Sequence, residues 1–197
     1  MHRAVFLDRD GVLNANRPDH VKSLAEFVLL PGALPALSLL GRTGLRVVVI
    51  SNQSIVNRGL ASRETVEGIH RQLVEWAQAA GGRIDAVCYC PHRPDEACGC
   101  RKPRPGLLVD AARRLNIDAR RSYLVGDAIS DVQAALAVGA EPLLVLTGRG
   151  RAQAGLLAGM GLQRIPVFKD VLEAAGWILQ REQIPYPVSM DALTRLP

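Results

Sequence analysis

Two aspartates separated by one residue, Asp8 and Asp10, directly follow the short apolar run Ala4-Val5-Phe6-Leu7. Such a run reads as a buried strand, so the pair lies where a strand leaves its sheet, with two carboxylates crowded at an edge. Like charges that close repel unless a cation or a shared proton relieves them. An aspartate in that position can attack phosphorus as a covalent nucleophile, and its neighbour two residues on can move protons. An isolated pair of this kind also occurs as a plain turn, so the remainder of the chain decides between the two.

Three further positions point to the same chemistry. Val47-Val48-Val49-Ile50 runs into Ser51-Asn52-Gln53, a hydroxyl and a row of backbone amides suited to phosphate oxygens. Arg101-Lys102-Pro103 places a guanidinium and an ammonium ahead of a helix, and lysine occurs elsewhere only at Lys22 and Lys169, which makes Lys102 a pointed choice. Tyr123-Leu124-Val125-Gly126 runs into Asp127, with Asp131 one helical turn on. Carboxylates gathered at that density require a hard divalent cation, and Mg2+ held by a few protein oxygens and a substrate phosphate is the usual solution.

A second metal is written into the spacing Cys90-Pro91-His92 and Cys98-Gly99-Cys100. Three thiolates and one imidazole form a complete tetrahedral set for Zn2+, and closed sites of this kind are structural. A disulfide is the competing use of such cysteines, and it is disfavoured in the reducing cytoplasm. Cys88 falls two residues too early and reads as a buried apolar side chain. The zinc loop, 88–102, ends at Arg101 and Lys102, so the metal sets how these cations face the nucleophile. His2, His20 and His70 have no comparable company and read as ordinary histidines.

The elements that must position these groups alternate along the chain. Short apolar strands are predicted at 4–7, 46–51, 86–89, 122–126 and 141–145, and helices at 33–40, 62–80, 106–115, 130–138 and 170–180. The helix at 62–80 is the clearest, with Val66, Ile69, Leu73, Trp76 and Ala80 on one face behind a Ser62 cap. Alternation of this type predicts an α/β fold, an open, mostly parallel sheet with helices on both faces, whose ligands bind beyond the carboxyl ends of the strands. The stretch 184–197, with Pro185, Pro187 and Pro197, reads as a C-terminal extension lying on the surface.

At 197 residues the chain suits a single domain, 1–197, with one substantial core, and 48% hydrophobic with 22% charged residues is the composition of a globular protein. No apolar run approaches the roughly 20 residues of a membrane span, and Asp8 interrupts the N-terminal apolar stretch, so a cytoplasmic enzyme with no membrane partner is expected. The net charge of +5 suits an anionic substrate or nucleic acid. A zinc-stabilised nucleic-acid-binding module is the alternative of another class. It is disfavoured by the 4% aromatic content, which offers no stacking platform, and by the acids gathered at the predicted site.

The four motifs together resemble those of the haloacid dehalogenase-like phosphohydrolases over about the first 150 residues. Within that superfamily, Phe6-Leu7-Asp8-Arg9-Asp10-Gly11-Val12-Leu13-Asn14, the Ser51-Asn52-Gln53 triplet and the cysteine loop are similar to the D-glycero-D-manno-heptose bisphosphate phosphatases, with histidinol phosphatases as near relatives. The resemblance implies a capless fold of that type and hydrolysis of a phosphorylated sugar, with loss of the phosphate distal to the anomeric carbon. It also implies roles. Asp8 is the nucleophile and Asp10 the acid and base. Ser51 and Lys102 hold the phosphoryl group, and Asp8, the Asp10 carbonyl and Asp127 hold Mg2+. Asp131 orients the site. Asn16, Arg17, Pro18, Asp19, Asn52, Gln53, Arg58 and Arg101 are implied to face the substrate, Arg101 reading a second phosphate or sugar hydroxyls. The position after Asp127 is often basic in that group, and here it is Ala128.

Overall fold

The computed structural model describes residues 1–185; from residue 186 on, the expected C-terminal extension lies outside the described residues. The strands are β1 (Ala4–Leu7), β2 (Arg46–Asn52), β3 (Ala86–Cys90), β4 (Tyr123–Gly126), β5 (Glu141–Val145) and β6 (Val167–Phe168), and the helices are α1 (Ala33–Gly41), α2 (Arg63–Ala79), α3 (Gly106–Arg114), α4 (Ile129–Val138), α5 (Gly150–Ala154) and α6 (Val171–Arg181). All strands pair in parallel in the order β3-β2-β1-β4-β5-β6. β1 therefore lies between β2 and β4, at the point where the strand order reverses, which is where such sheets open a crevice for ligands.

Alternation along the strands divides the core. Val5, Leu7, Val47, Val49, Val125 and Val145 point to one face and pack with Leu37 and Leu40 of α1, Ile69 and Leu73 of α2, and Ile178 of α6. Ala4, Phe6, Val48, Ile50 and Leu124 point to the other and meet Leu107, Leu108 and Ala111 of α3 and Ala134 and Ala135 of α4. Both faces are thus covered, which is why the strands read as unbroken apolar runs.

Local signals set the helix ends. The Ser62 hydroxyl accepts from the Thr65 N–H at 3.1 Å to start α2, and the Asp170 carboxylate accepts from the Leu172 and Glu173 amides at 3.0 Å to start α6. α4 ends on Gly139 at φ +74°, a left-handed conformation that glycine adopts freely. β6 and α5 were not predicted: two residues of strand show no alternation, and five residues of helix show no periodicity. Between β1 and β2 only a short 3-10 turn and α1 intervene, so no cap domain is inserted there.

Leu37 is fully buried in the α1 face of the larger core. Leu37→Ala is expected to lower the unfolding free energy by about 2–5 kcal/mol, measured by urea denaturation, because the cavity cannot collapse against a sheet covered on both faces.

Candidate active site

The loops at the carboxyl ends of β1 to β5 meet in one cleft of about 500 Å³, lined among others by the predicted Asp8, Asp10, Ser51, Asn52, Arg101, Lys102 and Asp131, and also by Arg149. Lys102 is its electrostatic centre. The ammonium has three protons, and Nζ meets three acceptors: Asp8 Oδ1 at 2.8 Å, Asp131 Oδ1 at 2.6 Å and the Ile50 carbonyl at 2.8 Å. Burial alone would lower the Lys102 pKa, but Asp131 and Asp8 outweigh it and push it up to about 12. Asp8 also accepts the Arg9 N–H at 2.7 Å. Its pKa is pushed up to about 6, chiefly by burial, with Lys102 opposing and Asp131 and Asp10 adding to the rise.

Asp127 reaches the same point from β4. Carboxylate oxygens of Asp8, Asp127 and Asp131 lie within 4.8 Å of one another. Burial, and then the charge of Asp8, raises the Asp127 pKa. The single Lys102 ammonium does not neutralise these carboxylates, and a dense set of hard oxygens left with excess negative charge is the donor set that suits Mg2+. Gly11, at φ +92°, makes room for the arrangement: a Cβ there would stand 2.1 Å from Asp127 Oδ2.

Asp10 is held apart from this group. Arg9 Nη2 donates to both of its oxygens at 3.0 Å, Asn14 Nδ2 to Oδ1 at 2.9 Å and Gln53 Nε2 to Oδ2 at 2.6 Å. Burial raises its pKa, but the Arg9 charge and these three donors more than offset that, and the net shift is downward. Arg9 itself is fully buried, against the Phe27 ring at 5.5 Å, and its Nη1 meets His70 Nε2 at 3.0 Å. Arg9, Asn14 and His70 went unrecognised in the sequence. An arginine between two aspartates at a strand end reads as solvent-facing, and nothing local ties residue 70 to residue 9.

The expected substrate residues divide. Asn16, Arg17, Pro18 and Arg101 line the cleft, and so does Asn52. The Asn52 side chain nevertheless faces the protein: Nδ2 donates to the Lys102 carbonyl and Oδ1 accepts the Lys102 N–H, both at 3.1 Å. Gln53 is not on the cleft wall. It is buried, and its amide is taken up by Asp10, Ser51 and Arg9. Asp19 turns to Lys22 and Arg17, and exposed Arg58 turns to Ser54. Arg149, from the loop after β5, is a cleft cation the sequence reading missed. Its N–H and Nη2 donate to Asp127 at 2.8 and 3.2 Å, beside Ala128.

Cys90, His92, Cys98 and Cys100 converge as expected. Cys90 Sγ lies 3.2 Å from Cys100 Sγ and 3.5 Å from Cys98 Sγ, and His92 Nδ1 lies 3.3 Å from Cys100 Sγ. These separations are far beyond a disulfide bond of about 2.05 Å. They approach the spacing of about 3.7 Å between sulfurs arranged tetrahedrally at about 2.3 Å from one ion, so the cluster is a candidate metal site. Cys88 stays out of it, buried on β3. Arg101 Nη1 donates to the His92 carbonyl at 3.2 Å, which ties its guanidinium to the same loop.

A buried aspartate at the switch point of a parallel sheet, salt-bridged to lysine and followed two residues on by an ionised second aspartate, defines a hydrolase of phosphoric monoesters of the haloacid dehalogenase type. The HAD-hydrolase-like family profile matches residues 99–174. The chain is 43% identical over 181 residues to the D-glycero-β-D-manno-heptose-1,7-bisphosphate 7-phosphatase of Bordetella bronchiseptica, covering 90% of this chain and 98% of that one. It is 36% identical over 183 residues to the protein of the same name in Neisseria meningitidis, covering 93% and 98%. The crystal structure of D,D-heptose 1,7-bisphosphate phosphatase from B. bronchiseptica, complexed with magnesium and phosphate, superposes with a TM-score of 0.84 at 40% identity, covering 91% of this chain and 99% of that one. The chain belongs to this family of haloacid dehalogenase-like phosphatases. No helix among the described residues is long and apolar enough to cross a membrane.

Lys102→Met is expected to destabilise the protein by about 3–5 kcal/mol in chelator, read by urea denaturation, because it strands Asp8 and Asp131 as buried charges. His70 gives a pH signature. Burial first, and the Arg9 charge second, push its pKa down to about 3, against an unfolded value of about 6.5. The unfolded chain therefore binds more protons between these values, and the contribution of neutral His70, full above about pH 6.5, is lost as pH falls toward 3. Replacing His70 with glutamine should remove about 2 kcal/mol of the stability difference between pH 7.5 and pH 5. The opposite contribution of Asp8 remains in both proteins and cancels in the comparison.

Proposed function

We propose that this enzyme removes the 7-phosphate from D-glycero-β-D-manno-heptose 1,7-bisphosphate, leaving the 1-phosphate. The observation that carries the reading is the cleft itself. Lys102, Asp8 and Asp131 form a buried phosphoryl site, while Arg101 and Arg17 line the same cleft and supply cations for a second anionic group. The near full-length likeness to enzymes named for that substrate supports it.

Asp8 is the nucleophile. A carboxylate oxygen attacks phosphorus, the ester P–O bond breaks with its electron pair going to the sugar oxygen, and Asp10 supplies that oxygen with a proton. Asp10 must carry the proton at this stage, and the charge of the bound phosphoryl group favours its protonated form. In the second half Asp10 takes a proton from water, the water oxygen attacks phosphorus, and the Asp8–phosphorus linkage breaks to return the carboxylate. The ionised state of Asp10 in this structure suits that half. Ser51 and Lys102 hold phosphoryl oxygens; since the three Lys102 protons already have acceptors, a phosphoryl oxygen shares one of them. Asp8, the Asp10 carbonyl and Asp127 would hold Mg2+, which supplies charge neutralisation on the phosphoryl oxygens. Cys90, His92, Cys98 and Cys100 would hold Zn2+ in a purely structural role, in keeping with a reducing, cytoplasmic setting. Residues 1–197 act as one catalytic domain.

Phosphate release measured across heptose bisphosphates, other sugar bisphosphates and histidinol phosphate tests the assignment, and the β-heptose 1,7-bisphosphate should give the highest kcat/KM. Asp8→Asn should abolish turnover with the melting temperature retained. Arg101→Ala should lower kcat/KM for the bisphosphate at least tenfold more than for a small aryl phosphate, which has no second group to grip; equal losses would assign Arg101 to the reacting phosphoryl group. Metal analysis should find about one zinc per chain after gel filtration, and its removal should lower the melting temperature.

A further inference from the structure

Among the described residues His70 is the one histidine buried beside the proposed acid–base group, and it comes from α2, far from it in sequence. Arginine only donates, so the 3.0 Å contact between Arg9 Nη1 and His70 Nε2 requires Nε2 as acceptor and the ring proton on Nδ1. Burial and the adjacent guanidinium keep the ring neutral, as that contact demands. The ring is itself held at 5.2 Å from the Tyr89 ring, whose hydroxyl donates to Glu67 of the same helix at 3.0 Å.

The guanidinium is planar, so holding one end of it aims the other. Among the described residues Arg9 Nη2 makes the only charged contact to Asp10, and it reaches both carboxylate oxygens. On its other side Arg9 has the Phe27 ring, which is indifferent to rotation in the guanidinium plane, and Nε has no hydrogen-bond partner among the described residues. The Gln53 carbonyl meets the same Nη2 rather than Nη1. Among the described residues His70 is therefore the contact that holds the Nη1 end of the fork, opposite the end that meets Asp10 and Gln53.

We propose that His70 is a positioning residue for Asp10: through Nε2 it fixes the Arg9 guanidinium, and Arg9 holds the Asp10 carboxylate where it can take the proton of the water that hydrolyses the phosphorylated Asp8. The proposal rests on the acid–base reading of Asp10 given above. It places the burden on the second half-reaction, in which an aimed, ionised carboxylate is needed, and it uses neither the metal nor the substrate's sugar.

An aryl phosphate separates the two halves, because its leaving group departs with little help from an acid. There kcat/KM reports transfer of the phosphoryl group to Asp8, and kcat reports its hydrolysis. His70→Leu should lower kcat at least tenfold and lower KM with it, so that kcat/KM stays within about threefold, and acid-quenched enzyme should carry a larger fraction of phosphoaspartate. His70→Gln, whose amide oxygen can accept from Arg9, should restore kcat to within about threefold of the parent. If His70→Leu does not fold, His70→Phe, which fills the site beside Tyr89 without an acceptor, carries the same comparison. Asp10→Asn is the control. If it shows the split and the His70 variants do not, or if they lose kcat/KM in step with kcat, the positioning role is overturned while the reading of Asp10 stands. If Asp10→Asn shows no split, the acid–base reading falls and takes the proposal with it.

Discussion

Asp8, Asp127 and Asp131 are each at least nine-tenths buried, with carboxylate oxygens within 4.8 Å of one another, and much of the molecule is arranged to keep them there. Charges so close and so dry repel strongly. One ammonium, with each proton assigned to a different acceptor, and the Arg149 guanidinium at Asp127 compensate for part of this, and the negative charge that remains suits a hard cation. Burial first, with the neighbouring carboxylates adding to it, raises the pKa of Asp8 and of Asp127.

That ammonium must be delivered with precision from a loop, and the protein does this from both sides. Asn52 at the end of β2 clamps the Lys102 backbone through its amide, donor to carbonyl and acceptor to N–H. The Cys90, His92, Cys98 and Cys100 cluster closes the loop just before it, and Arg101 is tied to that cluster through the His92 carbonyl. Asn52, implied by the resemblance to face substrate, thus serves to place Lys102, and Gln53 likewise turns inward, its amide ordering Asp10 and Ser51. Asp10 is kept from the crowded carboxylates by a separate buried cation, Arg9. Two aspartates two residues apart consequently live in different fields, one raised in pKa and one lowered, which is the separation that a nucleophile and a proton carrier require.

Much of this was legible because the chemistry sits at strand ends. In a parallel sheet covered on both faces, each short apolar run predicts a strand and the polar residue that ends it predicts a site. Asp8, Ser51 and Asp127 were found that way, and Cys90, His92, Cys98 and Cys100 were found because their ligand spacing lies within a few residues. The less legible parts have no such local mark. β6 and α5 are too short for a period. Arg149 stands after an ordinary strand end, and its function as a partner to Asp127 depends on β5 lying next to β4. Gln53 and Asn52 look outward in sequence because polar residues after a strand usually do.

Residue type, spacing and period along the chain determined the α/β class, the pair of aspartates at the end of β1, the further acids that gather with them and the cysteine–histidine set, since each follows from interactions within a few residues or from topology that parallel strands impose. Which polar groups face the cleft and which face one another was decided only by tertiary structure. Arg9 and His70 meet because α2 packs its buried face on the sheet beside β1, and Lys102 reaches Asp8 because a loop from β3 folds back over β2. Hydrogen bonding has a range of about 3 Å, so partners separated by tens of residues along the chain leave no signature in it until the fold brings them together.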